Sequence, residues 1–206
     1  MVDRIEEPRT ARSRRTRAAI LDATWTLIEE QGAEDLSMEE VAERAGVSRR
    51  AIYLHFPTRA ELLVSLMAHM DRELDIEASL RPVLQAPDGL TALKEFTNHL
   101  ASYHPRILAV VQAVDRARRS DEAARALWDR AMEAWHRACR TLVERIAEEG
   151  RLSPGWSREE ATDLLWALMS VDLLEDLIVD RGWSPEKYGE ALYRIMAGTL
   201  TRELPG

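Results

Sequence analysis

The chain has 206 residues, 46% of them hydrophobic and 31% charged, which is enough to bury a core and argues against wholesale disorder. Nine Gly and eight Pro are too few for the many tight turns of a β-sandwich or barrel. The formal net charge of -8 speaks against a polyanionic partner, but only as a total.

The charge is unevenly placed. Residues 1–17 hold six Arg and three acids, and residues 18–43 hold eight acids and no base. Residues 44–60 then hold four Arg and no acid. An acidic body therefore carries two short basic patches, both near the start of the chain. The single Cys139 excludes an internal disulfide and fits a reducing compartment. Residues 1–10 contain no apolar leader segment. The most apolar stretch, residues 164–174, carries Asp172 and is too short to span a bilayer. A cytoplasmic protein with no membrane partner is the expectation.

In chain order the hydrophobic period is helical almost throughout. Ile20, Ala23, Thr24, Leu27 and Ile28 mark one face of a first helix, closed at Gly32. Ser37 and Glu40 have the spacing of a capping box and open a short second helix that stops at Gly46. Ser48 caps a third helix running to Phe56, ended by Pro57. Thr58 and Glu61 open a fourth, with Leu62, Leu63, Leu66, Met67, Met70 and Leu74 inward. Pro82 and residues 86–89 are expected to break the chain. A helix follows from about Leu90 to Tyr103. His104-Pro105 marks a turn, and a helix apolar on nearly every side covers residues 107–114. Ser120 opens a long helix to Glu149. Ser157 with Glu160, and Ser184-Pro185-Glu186, are further starts. The fold class is all-α, with about nine helices and no convincing strand.

Three short helices with Gly46-Val47-Ser48 between the second and third describe a helix-turn-helix. The third helix begins Ser48-Arg49-Arg50-Ala51. An acid is usual at the position of Ala51, where it would face phosphate, so its absence suits DNA. Arg can read guanine through two hydrogen bonds, and a short Ala can meet a thymine methyl.

At these residues the chain resembles the TetR family of bacterial transcriptional regulators. The resemblance covers residues 17–63. It reads Ile20-Leu21-Asp22-Ala23, Leu27-Ile28 and Gly32, then Ser37-x-x-x-Val41-Ala42-x-x-Ala45-Gly46-Val47-Ser48. Ile52-Tyr53-x-His55-Phe56 and Arg59-x-x-Leu62 complete it. The resemblance implies that Ser37 touches phosphate and that Tyr53 and His55 hold the DNA backbone. It places Arg59 where the family usually has a phosphate-binding Lys, and Ser48, Arg49, Arg50 and Ala51 at or beside the bases. The family often has Gly and Thr where this chain has Arg50 and Ala51, so its operator is not transferable from a relative. Arg14 and Arg15, with Arg12 and Arg17, look like a flexible arm laid into the minor groove. The organisation expected is a basic arm over residues 1–16, a DNA-binding domain over 17–60, and a ligand-binding and dimerisation domain over 61–206.

In the larger domain Trp128, Met132, Trp135, Cys139, Leu142 and Ile146 fall along one helical stripe. The family keeps its ligand cavity among these helices. Tyr103, His104, Trp128, Met132, Trp135, His136, Trp166 and Met169 are the lining candidates for a small apolar or aromatic effector. The last two helices of the family form the contact with a second subunit, which makes Leu165, Leu168, Leu192, Ile195, Met196 and Leu200 interface candidates. The function implied is a homodimeric repressor released from a palindromic DNA operator by that effector. A DNA-binding dimer without a small-molecule effector, its larger domain a scaffold or controlled by a protein partner, and an activator are the alternatives. No metal-ligand spacing joins the five His, and no phosphate loop or nucleophile elbow is present, so neither an enzyme, a cofactor nor a metal is expected.

Overall fold

A computed structural model describes residues 10–32 and 36–202. Among them run ten α-helices: α1 Ala11–Gln31, α2 Met38–Arg44, α3 Arg49–His55, α4 Arg59–Glu73 and α5 Ile76–Gln85, then α6 Gly89–Ala117, α7 Glu122–Glu148, α8 Arg158–Ala167, α9 Val171–Leu174 and α10 Pro185–Leu200. A π-helical turn, Glu175–Asp180, continues α9. A single antiparallel bridge, Leu152 with Thr201, is the strand-like pairing. Among the described residues no helix is long and apolar enough to cross a membrane.

Local chemistry sets most of the boundaries. Ser37 and Ser157 each close a full capping box, with Glu40 and Glu160 returning a carboxylate to the cap N–H. Ser48 accepts from the Ala51 N–H at 3.2 Å, and Ser184 from the Lys187 N–H with Pro185 in the first turn.

Two prolines do not act as breakers. Pro105 lies inside α6, so the two helices expected on either side of His104-Pro105 are one helix of 29 residues. Pro82 likewise lies inside α5. Proline removes one ladder bond and bends a helix, and tertiary packing on both sides can carry the helix across. The expected break at residues 86–89 does fall there, between α5 and α6, and a further one comes at Asp75, which adopts φ 46° and caps α5 through Ala78 N–H. The long helix α7 starts on Asp121, whose carboxylate accepts from Ala124 N–H at 2.9 Å, rather than on Ser120. The arm expected over residues 1–16 is helical from Ala11, capped by Thr10. Its first nine residues lie outside the described ones.

The chain divides into two compact units. One takes the described residues to Glu73 with Ala109–Trp128, and the other takes Leu74–Leu108 with the described residues from Asp129 on. Thus α6 and α7 each supply residues to both units. In the first unit α1 packs on α2 and α4, and α2 packs on α3. Ile20, Val41, Ile52, Phe56, Leu62 and Leu66 form its core at 0–1% exposure. The second unit has its own core, including Leu93, Leu100, Val143, Ile146, Leu165, Tyr188, Leu192 and Leu200.

The second core includes one close backbone approach. A Cβ at Gly189 of α10 would stand 2.9 Å from Ala101 Cβ and 3.3 Å from the Thr97 carbonyl oxygen of α6. Gly189→Ala should therefore destabilise the protein by about 1–3 kcal/mol through overpacking. Chemical denaturation monitored by circular dichroism measures this, and an unchanged midpoint would mean that α6 and α10 yield freely.

Candidate functional site

The recognition unit is built on one turn and one clamp. Gly46 takes φ 65°, a conformation open to glycine, and lets the Val47 N–H reach the Ala42 carbonyl at 2.9 Å. That return sets α3 against α2. The clamp is Arg17 of α1. Its guanidinium donates to the His55 carbonyl at 3.0 Å and to Ser65 Oγ at 2.7 Å, and lies 4.2 Å from the centre of the Phe56 ring. One side chain thereby joins α1, α4 and the C-terminal end of α3. Its positive charge suits the negative end of α3.

With Ile52 and Phe56 buried, α3 turns its other face outward. Arg49, Arg50, Tyr53 and Leu54 are all exposed, at positions i, i+1, i+4 and i+5 of one helix. Ala51 and His55 are half-buried at its margins. Ser37 lies half-buried at the start of α2, where its hydroxyl donates to Glu40 Oε2 at 2.8 Å, and Ser48 is exposed at the start of α3. Arg59 is exposed at the start of α4, and Arg14 and Arg15 on the first turns of α1. Burial and the neighbouring Arg17 charge hold the His55 imidazole below its usual pKa, so it is a neutral hydrogen-bonding group at pH 7.

Two members of this face were not among the expected contacts. Leu54 is 74% exposed, the most open large apolar side chain of α3. The i, i+1, i+4, i+5 pattern around buried Ile52 was the signal that could have placed it. Glu39 of α2 pairs with Arg49 at 2.9 Å, a contact between helices that sequence spacing does not reveal. The first unit also has a cleft of about 480 Å³ whose lining includes Thr58, Arg59, Ala60 and Leu63 and, from α6, Ala113, Arg116 and Ala117.

The candidate effector residues do not form one group. Tyr103, His104 and Trp135 come together, joined by Phe96 and His99, which were not expected. His99 stacks on Tyr103 at 5.2 Å and on Trp135 at 6.2 Å, and His104 packs on Trp135 at 5.0 Å. His136 and Trp166 form a separate pair nearer the surface, with His136 Nε2 2.8 Å from Asp163 Oδ1. Met132 is half-buried. Met169 lies against Cys139, whose thiol donates to its sulfur at 3.3 Å and is pushed up to about 12 by burial. Trp128 belongs to the first unit, under the Arg118 guanidinium.

The expected subunit contacts need correction. Leu165, Leu192, Met196 and Leu200 are 0–1% exposed within one chain. Their apolar spacing serves the unit's own core, so a partner could not reach them. Leu168 is half-buried. Ile195, at 49%, remains open, and Trp166 and Val179 join it as exposed apolar side chains of the same region of sequence.

The family model described as "Bacterial regulatory proteins, tetR family" matches residues 20–66, the span from α1 through most of α4. The chain carries the DNA-binding domain of the TetR family. It is 26% identical to the HTH-type transcriptional regulator EthR of Mycolicibacterium smegmatis over 95% of this chain and 90% of that one. It is 42% identical to the HTH-type transcriptional repressor KstR of Rhodococcus jostii over 29% of this chain and 28% of that one. Among solved structures it resembles NalD, the secondary repressor of the MexAB-OprM multidrug efflux pump in Pseudomonas aeruginosa. That likeness has a TM-score of 0.72 at 27% identity and covers 94% of this chain and all of NalD. This chain is therefore a DNA-binding transcriptional regulator built on a helix-turn-helix.

Two measurements test this geometry. Arg17→Ala should cost about 2–3 kcal/mol, the scale of charged hydrogen bonds to partly buried acceptors. The effect is read by thermal melting, and a loss below about 0.5 kcal/mol would show that the clamp is dispensable. The second concerns acid. Burial holds His99 to about 4 and His104 to about 3, against 6.5 for a free imidazole. The unfolded chain then binds protons first as pH falls, so stability is present above about pH 6.5 and is lost toward pH 4. Each imidazole contributes a slope of up to about 1.4 kcal/mol per pH unit within that window. His104→Gln should flatten the pH dependence of the denaturation midpoint, and an unchanged slope would remove His104 from it.

Proposed function

We propose that this TetR-family regulator is a homodimeric repressor that lays α3 in the major groove of a palindromic operator and is released by a small apolar or aromatic effector. The observation that carries the reading is the outward face of α3. Two arginines, a tyrosine and a leucine stand exposed on a helix whose opposite side is locked into the core. Arg49 and Arg50 are the base-reading residues, with Ala51 and Leu54 offering apolar contact to a thymine methyl. Ser37, Ser48, Tyr53, His55 and Arg59 hold phosphates around that groove. Arg14 and Arg15 add to this from the start of α1. Four arginines crowd the first turns of that helix, against its own dipole, an arrangement that a neighbouring phosphate relieves.

Two copies would set their α3 helices about 34–36 Å apart, one turn of DNA. Ile195 and Trp166 are the apolar side chains left for the second subunit. The effector acts in the unit that holds Tyr103, His104 and Trp135. Because α6 runs from that unit into the cleft beside Arg59 and Leu63, a displacement of α6 is the means by which occupancy would reach α4. The effector can shift the equilibrium only by binding one state more tightly than the other. Repression is supported by the repressor roles of the similar proteins KstR and NalD.

Selection of bound sequences from a random duplex library, followed by titration of the winning duplex, tests the DNA reading. Arg49→Ala and Arg50→Ala should each weaken operator binding by about 1–3 kcal/mol and relax choice at one position. Operator affinity should fall with salt at a slope of about -0.9 per neutralised phosphate. Two variants that bind with unchanged affinity and preference would remove α3 from the interface.

A further inference from the structure

Four buried side-chain atoms among the described residues have no hydrogen-bond partner: Trp25 Nε1, His99 Nε2, His104 Nδ1 and Tyr188 Oη. Trp25 and Tyr188 are single cases on separate helices. The two histidines are different, because both belong to α6 and both rings pack on Trp135. His99 is 2% exposed and His104 7%. An unsatisfied buried donor or acceptor is costly, and two in one cluster are not a packing accident to be expected of a well-filled core.

The surroundings are aromatic and apolar. Tyr103 and Trp135 flank His99, and Phe96 lies 6.4 Å from Trp135. The other nitrogen of His99 is already served, since Nδ1 lies 2.7 Å from Ser79 Oγ. That bond fixes the ring and leaves Nε2 as the open atom. Among the described residues no group of three or more His, Cys, Asp or Glu gathers that could hold a metal ion.

We propose, resting on the effector reading above, that this cluster is the binding site for a neutral aromatic molecule bearing a hydroxyl, with the hydroxyl pairing with the open nitrogens of His99 and His104. The ring of such a molecule matches the faces of Trp135, Tyr103 and Phe96. A neutral imidazole has one N–H and one lone pair, and which of them faces outward depends on its tautomer. A hydroxyl both donates and accepts, so it satisfies either nitrogen in either tautomer. An ion suits the place poorly. The burial that keeps both imidazoles uncharged at pH 7 would penalise a buried charge on a ligand in the same way. A site with open polar atoms also discriminates strongly against a ligand that lacks the matching group.

The test uses the full chain labelled with ¹⁵N-histidine at pH 7.5, without DNA, titrated with phenol and with benzene. Phenol should saturably shift the ring-nitrogen resonances of His99 Nε2 and His104 Nδ1 and alter Trp135 emission, and benzene should bind about tenfold or more weakly. His104→Phe should erase the preference for phenol, and His104→Gln, which keeps a hydrogen-bonding group, should retain part of it. If a variant does not fold, the wild-type nitrogen shifts still decide. Resonances that stay fixed at high phenol, or equal affinity for phenol and benzene, overturn the proposal and leave the nitrogens to bound water. Operator release is measured separately. Phenol seated on the histidines with operator affinity unchanged upholds the site and defeats the effector reading. Release of operator by apolar compounds with both nitrogens unmoved overturns the site and leaves the effector reading standing.

Discussion

The Arg17 guanidinium is the constraint on which the recognition unit depends. A helix of seven residues has too few internal hydrogen bonds to persist alone, so α3 is held by what surrounds it. Ile52 and Phe56 anchor its inner side. The Arg17 hydrogen bond to the His55 carbonyl fixes its end, while the same side chain holds Ser65 of α4 and covers the Phe56 ring. Rotation of α3 about its axis is thereby blocked, and the direction in which Arg49 and Arg50 point is determined by a residue on another helix. One basic residue of the N-terminal cluster is thus structural, although its charge alone would group it with Arg12, Arg14 and Arg15.

The local balance of charge carries a similar division of labour. The net charge of -8 belongs to the whole chain, while α3 and its flanks contain no acid. Glu39 is the nearest exception in space. It pairs with Arg49 across the turn, with both side chains half or more exposed, so the pair is weak in water and readily exchanged for phosphate or base. In the second unit the opposite condition holds. Polar groups in its core lie in apolar surroundings, and His99 and His104 give up their charge rather than find a counter-ion. The two units thus differ in their physics: exposed, screened charge in one, and buried, uncharged polar groups in the other.

Much of this was legible in the sequence because helix caps are local. Ser37 with Glu40, Ser48, Ser157 with Glu160 and Ser184-Pro185 place their helices from four-residue signals. The turn at Gly46 and the outward arginines follow from the same short range. What was not legible depended on packing. Pro105 and Pro82 read as breaks because their local effect is a lost hydrogen bond, yet both helices continue through them. Leu165, Leu192, Met196 and Leu200 had the spacing of an interface, but spacing cannot tell an inward core face from an outward contact face. His99 drew no attention as one of five scattered histidines, since its significance arises from Tyr103, Trp135 and Ser79, which other turns and helices bring to it.

The π-helical turn after α9 has a consequence for how relatives of this chain can diverge. A turn of that kind holds one residue more than an α-helical turn spanning the same rise. Val179 on it is open to solvent and none of its residues is fully buried. Loss or gain of a residue there would convert one helical pitch to the other and be absorbed before the Ser184 cap restarts the register of α10. The same event within α10, where Gly189 meets Ala101, would turn the whole helix against its neighbour. Length variation in the lineage should therefore collect between Leu174 and Ser184, which makes this segment the hinge of evolutionary drift rather than of motion.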